Sequence, residues 1–330
     1  MAFFDMPIDR LRDYRPDVRR QADFEDFWRG TLETELARPL DPSVVQIDTP
    51  LRTVDVYDVS WTGYGGQRIQ GWLRLPAHRD GQVPAVVQYR GYTGGRGYPH
   101  LEMLYANAGY AHFLIEARGQ GWKTPSLTEP TPDLDPAAGD MHWPGMMTSG
   151  ITRPQTYYYR RLYVDALRLL ELAVADERVD GSRVAVAGGS QGGGLAIAVA
   201  GLAGMAGIPV AAAMPDVAFL CHFERAVGLT DSYPYKEIAD LLNAWPGREE
   251  QVFDTLSYFD GVNLAAYAQA ASLFSVALMD QVCPPSTVFA AYNAWGAANK
   301  DIDVYRWNGH EGGSDHSSWK KLQWLQELGF

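Results

Sequence analysis

The sequence predicts an α/β fold in which helices cover both faces of a mostly parallel central sheet. Three observations carry that expectation. Between residues 84 and 307 short apolar strands alternate with helical stretches, the order that right-handed crossovers between parallel strands produce. Residues 84–89 and 110–116 are apolar on both strand faces, as a sheet enclosed by two helix layers requires. Residues 183–198 read as a strand, a glycine-flanked serine and a helix of small residues.

The elements follow in order. Within residues 10–38, Phe24, Phe27, Trp28, Leu32 and Leu36 recur at helical spacing on one side. Residues 54–61 and 69–75 alternate apolar with polar around a Gly63-Tyr64-Gly65-Gly66 turn, which predicts a hairpin of two half-buried strands. The strand over 84–89 ends in the glycine-dense loop 90–97, and the strand over 110–116 leads into Arg118-Gly119-Gln120. His112, inside an apolar run, reads as a core histidine. Arg118 reads as a fork that ties loop carbonyls together, with substrate binding as the alternative. Residues 124–156, rich in Pro, Asp, Gly and Met, form a long irregular excursion of the kind that covers a pocket.

Residues 157–176 predict an amphipathic helix with Leu162, Ala166, Leu169, Leu170 and Ala173 on one face. After the glycine-flanked serine come a strand over 208–216 and a helical insertion over 217–268. Strands over 272–280 and 302–307 follow, with a helix around 285–299 between them and a closing helix over 319–328. A chain of 330 residues, 46% apolar and 12% aromatic, can bury one large core. We therefore expect a single domain over 1–330, with residues 1–80 as an N-terminal helix and β-hairpin extension.

Gly188-Gly189-Ser190-Gln191-Gly192 matches G-x-S-x-G, a nucleophile elbow in which a tight strand-to-helix turn lifts the serine hydroxyl above the sheet. This is the signature of the α/β-hydrolase fold. A serine hydroxyl is a weak nucleophile, so Ser190 needs a base and a carboxylate to orient that base, expected in the order Ser, acid, His. His310, in the glycine loop 308–313, is the candidate base, and His316 is its only downstream rival. Asp280 is the candidate acid. Asp216 is the alternative, otherwise expected to cap or brace the helix after it, and Glu311 is read as pointing away from the site. Oxyanion donors are expected at the backbone N–H of Gln191, which follows the nucleophile, and of Tyr92, in the loop after the buried strand.

A formal net charge of −12 repels polyanions, so neither nucleic acid nor an anionic membrane is an expected partner. No window approaches a membrane span, the N-terminal residues lack a signal-peptide run, and an intracellular location is expected. Cys221 and Cys283 lack metal-site or disulfide spacing and read as small core hydrophobes. The chemistry calls for no metal and no organic cofactor.

With these residues placed, the chain resembles the acetyl xylan esterase and cephalosporin-C deacetylase family of carbohydrate esterases. The motifs that carry the resemblance are Arg118-Gly119-Gln120, Gly188-Gly189-Ser190-Gln191-Gly192 and His310-Glu311, in order. Segments 91–97, 157–161, 219–223 and 279–287 are also similar to family sequence, so the likeness spans nearly the whole chain. The resemblance implies a cytoplasmic, hexameric deacetylase acting on acetylated xylo-oligosaccharides, other acetylated sugars and cephalosporin C. It assigns Ser190, Asp280 and His310 to the triad, with Tyr92 and Gln191 at the oxyanion. Residues 122–150 depart from the family pattern, and that segment would border the acyl and alcohol pockets. A serine peptidase or broad small-ester hydrolase using the same triad is the alternative, and a non-enzymatic binding protein that kept the fold is a third.

Overall fold

The computed structural model describes residues 3–139 and 145–330; Met1, Ala2 and residues 140–144, inside the expected excursion, lie outside the described residues. One sheet is built from strands β1 (Ser43–Gln46), β2 (Val54–Thr62), β3 (Arg68–Pro76), β4 (Val83–Tyr89), β5 (Ala111–Ile115), β6 (Val179–Gly189), β7 (Ala212–Asp216), β8 (Ala271–Ala277) and β9 (Lys300–Tyr305). Their order is β1-β2-β3-β5-β4-β6-β7-β8-β9. The first four in that order pair antiparallel, and from β5 to β9 every pairing is parallel.

The helices are α1 (Ile8–Arg12), α2 (Phe24–Leu36), α3 (Leu104–Asn107), α4 (Tyr158–Ala175), α5 (Gln191–Ala206), α6 (Phe223–Leu229), α7 (Tyr235–Ala244), α8 (Glu249–Ser257), α9 (Gly261–Ala265), α10 (Pro285–Ala294) and α11 (Ser314–Glu327). Alternate residues of the inner strands point to opposite cores, which is why those strands are apolar throughout. Val87, Val186, Ala213 and Phe274 join the large core with α2, α4, α5 and α10. Val86, Ala185, Ala187 and Met214 face the other way, against Tyr105 of α3 and Leu325 of α11.

Helix α5 has no polar side, and residues 191–203 are all buried in it. Its glycines explain how the insertion closes over it. A Cβ at Gly201 or Gly204 would overlap the backbone carbonyls of Leu264 or Tyr267, so only glycine lets the chain at α9 lie directly on the helix.

Several boundaries differ from expectation. Edge strand β1 carried too short an apolar signal, only Val44 and Val45, to be seen among polar neighbours. The expected helix within 10–38 is two pieces, because Arg15–Gln21 around Pro16 is not helical. Strand β7 starts at Ala212 rather than 208; Pro209 cannot donate to a ladder. Helix α10 ends at Ala294, where Trp295 turns extended and its indole bonds the Ala270 carbonyl. Helix α11 begins five residues before the expected start. In the hairpin, Val54 and Val56 pack with Trp72 and Leu114, while Val59 and Trp61 enter the large core, so β2 buries opposite faces at its two ends.

His112 is fully buried, with Nε2 at 2.8 Å from Gln88 Oε1, as its apolar setting suggested. Arg118 is a buried structural tie, but to a carboxylate first and to one carbonyl rather than to several loop carbonyls. Its Nε and Nη2 bond both carboxylate oxygens of Asp165 on α4, at 2.5 and 2.7 Å, and Nη2 also reaches the Tyr64 carbonyl in the hairpin turn.

Candidate active site

Strand β6 ends at Gly189, and α5 starts at Gln191, which leaves Ser190 alone in the turn. Its backbone sits at φ 56° and ψ −121°, a conformation that costs a non-glycine residue energy and is held by its surroundings. The Ser190 N–H donates to the Asp216 carbonyl, and its carbonyl accepts from Phe219 and Gly194. A Cβ at Gly188 would overlap Gly192, and one at Gly192 would overlap the Tyr89 carbonyl. The two motif glycines thus let β6, α5 and the end of β4 meet at one point.

His310 lies on the loop between β9 and α11. Its Nε2 is 3.0 Å from Ser190 Oγ, and its Nδ1 is 2.9 Å from Asp280 Oδ2. Asp280 is fully buried, and its other oxygen accepts the backbone N–H groups of Val282 and Cys283. It lies three residues beyond the end of β8, in the turn, rather than terminating the strand as expected. The turn lets the carboxylate reach back to the imidazole.

The other candidates fall elsewhere. His316 is exposed on α11. Glu311 turns from the serine and accepts from the Gly309 N–H and Asn308. Asp216 was expected to brace the helix following it. It instead accepts from Ser275 of β8 and from Ser317 and Lys321 of α11, and so braces the helix that follows the histidine loop.

Gln191 directly follows Ser190, and Tyr92 follows Gly91, where a Cβ would lie 3.8 Å from the Gly189 carbonyl; neither backbone N–H has an acceptor among the described residues. The Gln191 N–H belongs to the first turn of α5, where the helix dipole adds positive potential. Side chains hold the two donors in register. Gln120 Oε1 accepts the Thr93 N–H at 2.8 Å, while its Nε2 donates to Gln191 Oε1 and to the Tyr158 hydroxyl, both at 2.9 Å. The Tyr159 hydroxyl also donates to Gln191 Oε1. The Tyr92 phenol donates to Glu237 Oε1 at 2.8 Å, and burial followed by that carboxylate pushes the phenol pKa up.

Sequence reasoning singled out Gln120 only as part of a motif, quoted Tyr158 and Tyr159 only within the segment 157–161 without a role, and passed over Glu237. The Tyr157-Tyr158-Tyr159 run was a usable signal, since hydroxyls buried in a helix need acceptors. Glu237 gave none beyond its helical neighbours.

Asp280, Cys283 and His310 place a carboxylate oxygen, a thiol and an imidazole nitrogen within 4.8 Å of one another. They fit a metal poorly. Both Asp280 oxygens are taken by hydrogen bonds, and burial pushes the Cys283 thiol pKa up, away from the thiolate a metal needs. The arrangement suits proton transfer: a hydroxyl, an imidazole and a buried carboxylate in one relay. It opens on a polar cavity of about 310 Å³ lined by Ser190, His310, Gly312 and Ser314.

Comparison with known proteins places the chain among acetyl xylan esterases. The acetyl xylan esterase of Paenibacillus sp. R4 is 40% identical and superposes with a TM-score of 0.87, covering 98% of this chain and 99% of that one. Acetyl xylan esterase 1 of Thermoanaerobacterium sp. JW/SL YS485 is 31% identical with a TM-score of 0.88, over 98% and 99% of the two chains. Acetyl esterase Axe7A of Xylanibacter ruminicola is 27% identical over 323 residues, 95% of this chain and 68% of that protein. The family model for acetyl xylan esterase (AXE1) matches residues 1–328. The chain therefore belongs to the acetyl xylan esterase family, carboxylic ester hydrolases on the α/β-hydrolase fold.

Proposed function

We propose that the protein removes acetyl groups from O-acetylated xylo-oligosaccharides, related acetylated sugars and cephalosporin C by a two-step serine mechanism. The observation that carries the reading is the unbroken relay from Ser190 Oγ through His310 to Asp280; the N–H groups of Tyr92 and Gln191 are assigned to the oxyanion.

Ser190 Oγ attacks the acetyl carbonyl carbon while its proton passes to His310 Nε2. Charge gathers on the former carbonyl oxygen, where the two N–H groups stabilise it. The ester C–O bond then breaks, His310 gives the proton to the departing sugar oxygen, and the acetyl group remains bonded to Ser190 Oγ. Water, deprotonated by His310, reverses the sequence and releases acetic acid. Asp280 holds the imidazole with its proton on Nδ1 and stabilises the imidazolium without being protonated itself.

Acetate release from acetylated xylosides, acetylated glucosides and cephalosporin C tests the substrate range. Ester rates are expected to fall sharply from acetyl to butyryl, and a flat chain-length profile contradicts the reading. An acetyl-enzyme adduct of Ser190 trapped by rapid acid quench and seen by mass spectrometry tests the mechanism. The reading extends to an intracellular homo-hexamer, for which cell fractionation and analytical ultracentrifugation are the measurements.

A further inference from the structure

Glu237 stands where three separate parts of the chain meet the site. It lies on α7 in the helical insertion, and its side chain is buried to 6% exposure. One carboxylate oxygen accepts the Tyr92 phenol at 2.8 Å, from the loop after β4. The other accepts the Met147 N–H at 3.0 Å, from the returning end of the excursion. The Met146 N–H in turn donates to the Tyr92 hydroxyl at 2.9 Å, which closes a ring of hydrogen bonds. A side chain at Gly145 would press on this carboxylate, so the excursion returns on a glycine at the point of closest approach.

Tyr92 is gripped at both ends as a result. Gln120 holds the backbone one residue on, at the Thr93 N–H, and Glu237 holds the ring tip. Thr93 sits at φ 72°, a conformation a β-branched residue keeps only when its neighbours impose it. The N–H of Tyr92, without an acceptor among the described residues, belongs to the stretch these two anchors hold. A carboxylate suits the Glu237 position better than an amide, because among the described residues it accepts from one donor on each oxygen and an amide offers one acceptor oxygen.

We propose that Glu237 is a positioning residue that sets the oxyanion N–H of Tyr92 by clamping its phenol to the insertion and to the end of the excursion. The proposal rests on the serine-esterase reading of this site. It makes the excursion and the insertion contributors to transition-state binding as well as walls of the pocket.

The test is a double-mutant cycle of Glu237→Ala and Tyr92→Phe, with Glu237→Gln as the conservative variant. Tyr92→Phe keeps the backbone donor and removes only the grip. Turnover and KM are measured with p-nitrophenyl acetate, alongside affinity for an arylboronic acid, a tetrahedral adduct former. Glu237→Ala and Tyr92→Phe are each expected to lower kcat about 10–100-fold, less than the about 100–1,000-fold cost of losing an oxyanion donor outright, with KM changed less than threefold. Boronate affinity is expected to fall in step with kcat. The double variant is expected to be no slower than the worse single one, and Glu237→Gln to lie between wild type and Glu237→Ala.

A kcat within twofold of wild type in Tyr92→Phe and Glu237→Gln overturns the proposal, even if Glu237→Ala fails to fold. So do losses that multiply in the double variant, or a loss confined to KM or to melting temperature. Ser190→Ala separates the two levels: if it retains activity, the serine-esterase reading itself fails. If it is inactive while the cycle is flat, only the role of Glu237 fails.

Discussion

Replacing Asp280 by Asn changes one atom and reverses the relay. In the native site one Asp280 oxygen is committed to the backbone N–H groups of Val282 and Cys283, at 2.8 and 3.0 Å, and the other faces His310 Nδ1 at 2.9 Å. An asparagine has one acceptor oxygen, and the two backbone donors hold it on their side, so the NH₂ group turns toward the imidazole. Nδ1 must then accept, and the ring proton moves to Nε2, the atom 3.0 Å from Ser190 Oγ. A protonated Nε2 cannot take the serine proton. The same tautomer inversion in chymotrypsin-type proteases costs about 10⁴ in turnover, or about 5.5 kcal/mol of transition-state stabilisation. We expect kcat for p-nitrophenyl acetate to fall about 10³–10⁴-fold in Asp280→Asn, with near-UV circular dichroism unchanged. Asp216→Asn, which touches Ser275, Ser317 and Lys321 but not the imidazole, is expected to stay within about tenfold of wild type. More than a tenth of wild-type turnover in Asp280→Asn, or a crippled Asp216→Asn beside it, refutes the reasoning.

Ser190→Ala is expected to abolish acetate release and the acetyl adduct while leaving thermal unfolding nearly unchanged; a variant that still forms the adduct points to another nucleophile. Gln120→Leu removes the acceptor for the Thr93 N–H and the donor to Gln191, so kcat is expected to drop about 10–100-fold with KM little changed, and an effect on KM alone argues against its bridging role. His222, against Tyr14 and near Arg225, has its pKa pushed down to about 4, by burial first and the guanidinium second. Its folded pKa lies below the unfolded value, so the stability tied to the neutral ring is full above about pH 6.5 and is lost as pH falls through 4. The stability advantage of wild type over His222→Gln in urea titrations is expected to shrink by up to about 3 kcal/mol from pH 7 to pH 4, and a constant difference contradicts it.

Much of the site could be read along the chain because its geometry is local. The elbow needs a strand, two glycines and a helix within a dozen residues, and residues 183–198 supply them in that order. Asp280 and His310 follow strands whose apolar runs mark where the sheet ends, and parallel strands deliver such loops to one edge. The strand-and-helix alternation determined the fold class for the same reason: each element's burial pattern is written in its own neighbours. Edge strand β1 and the start of α11 were less visible, since four half-polar residues or one polar helical turn carry little periodicity.

What only the tertiary structure decided are the contacts between distant segments. Tyr92 and Glu237 are 145 residues apart, Gln120 and Gln191 are 71 apart, and Asp216 and Lys321 are 105 apart. No local pattern marks such pairs, because a buried polar side chain is specified by the partner the fold brings to it. The sequence determined which groups gather at the candidate site and on which edge they emerge; the folded chain decided which side chains hold them still. The physical reason is that backbone geometry is set by neighbours in sequence, while satisfaction of buried hydrogen bonds depends on neighbours in space.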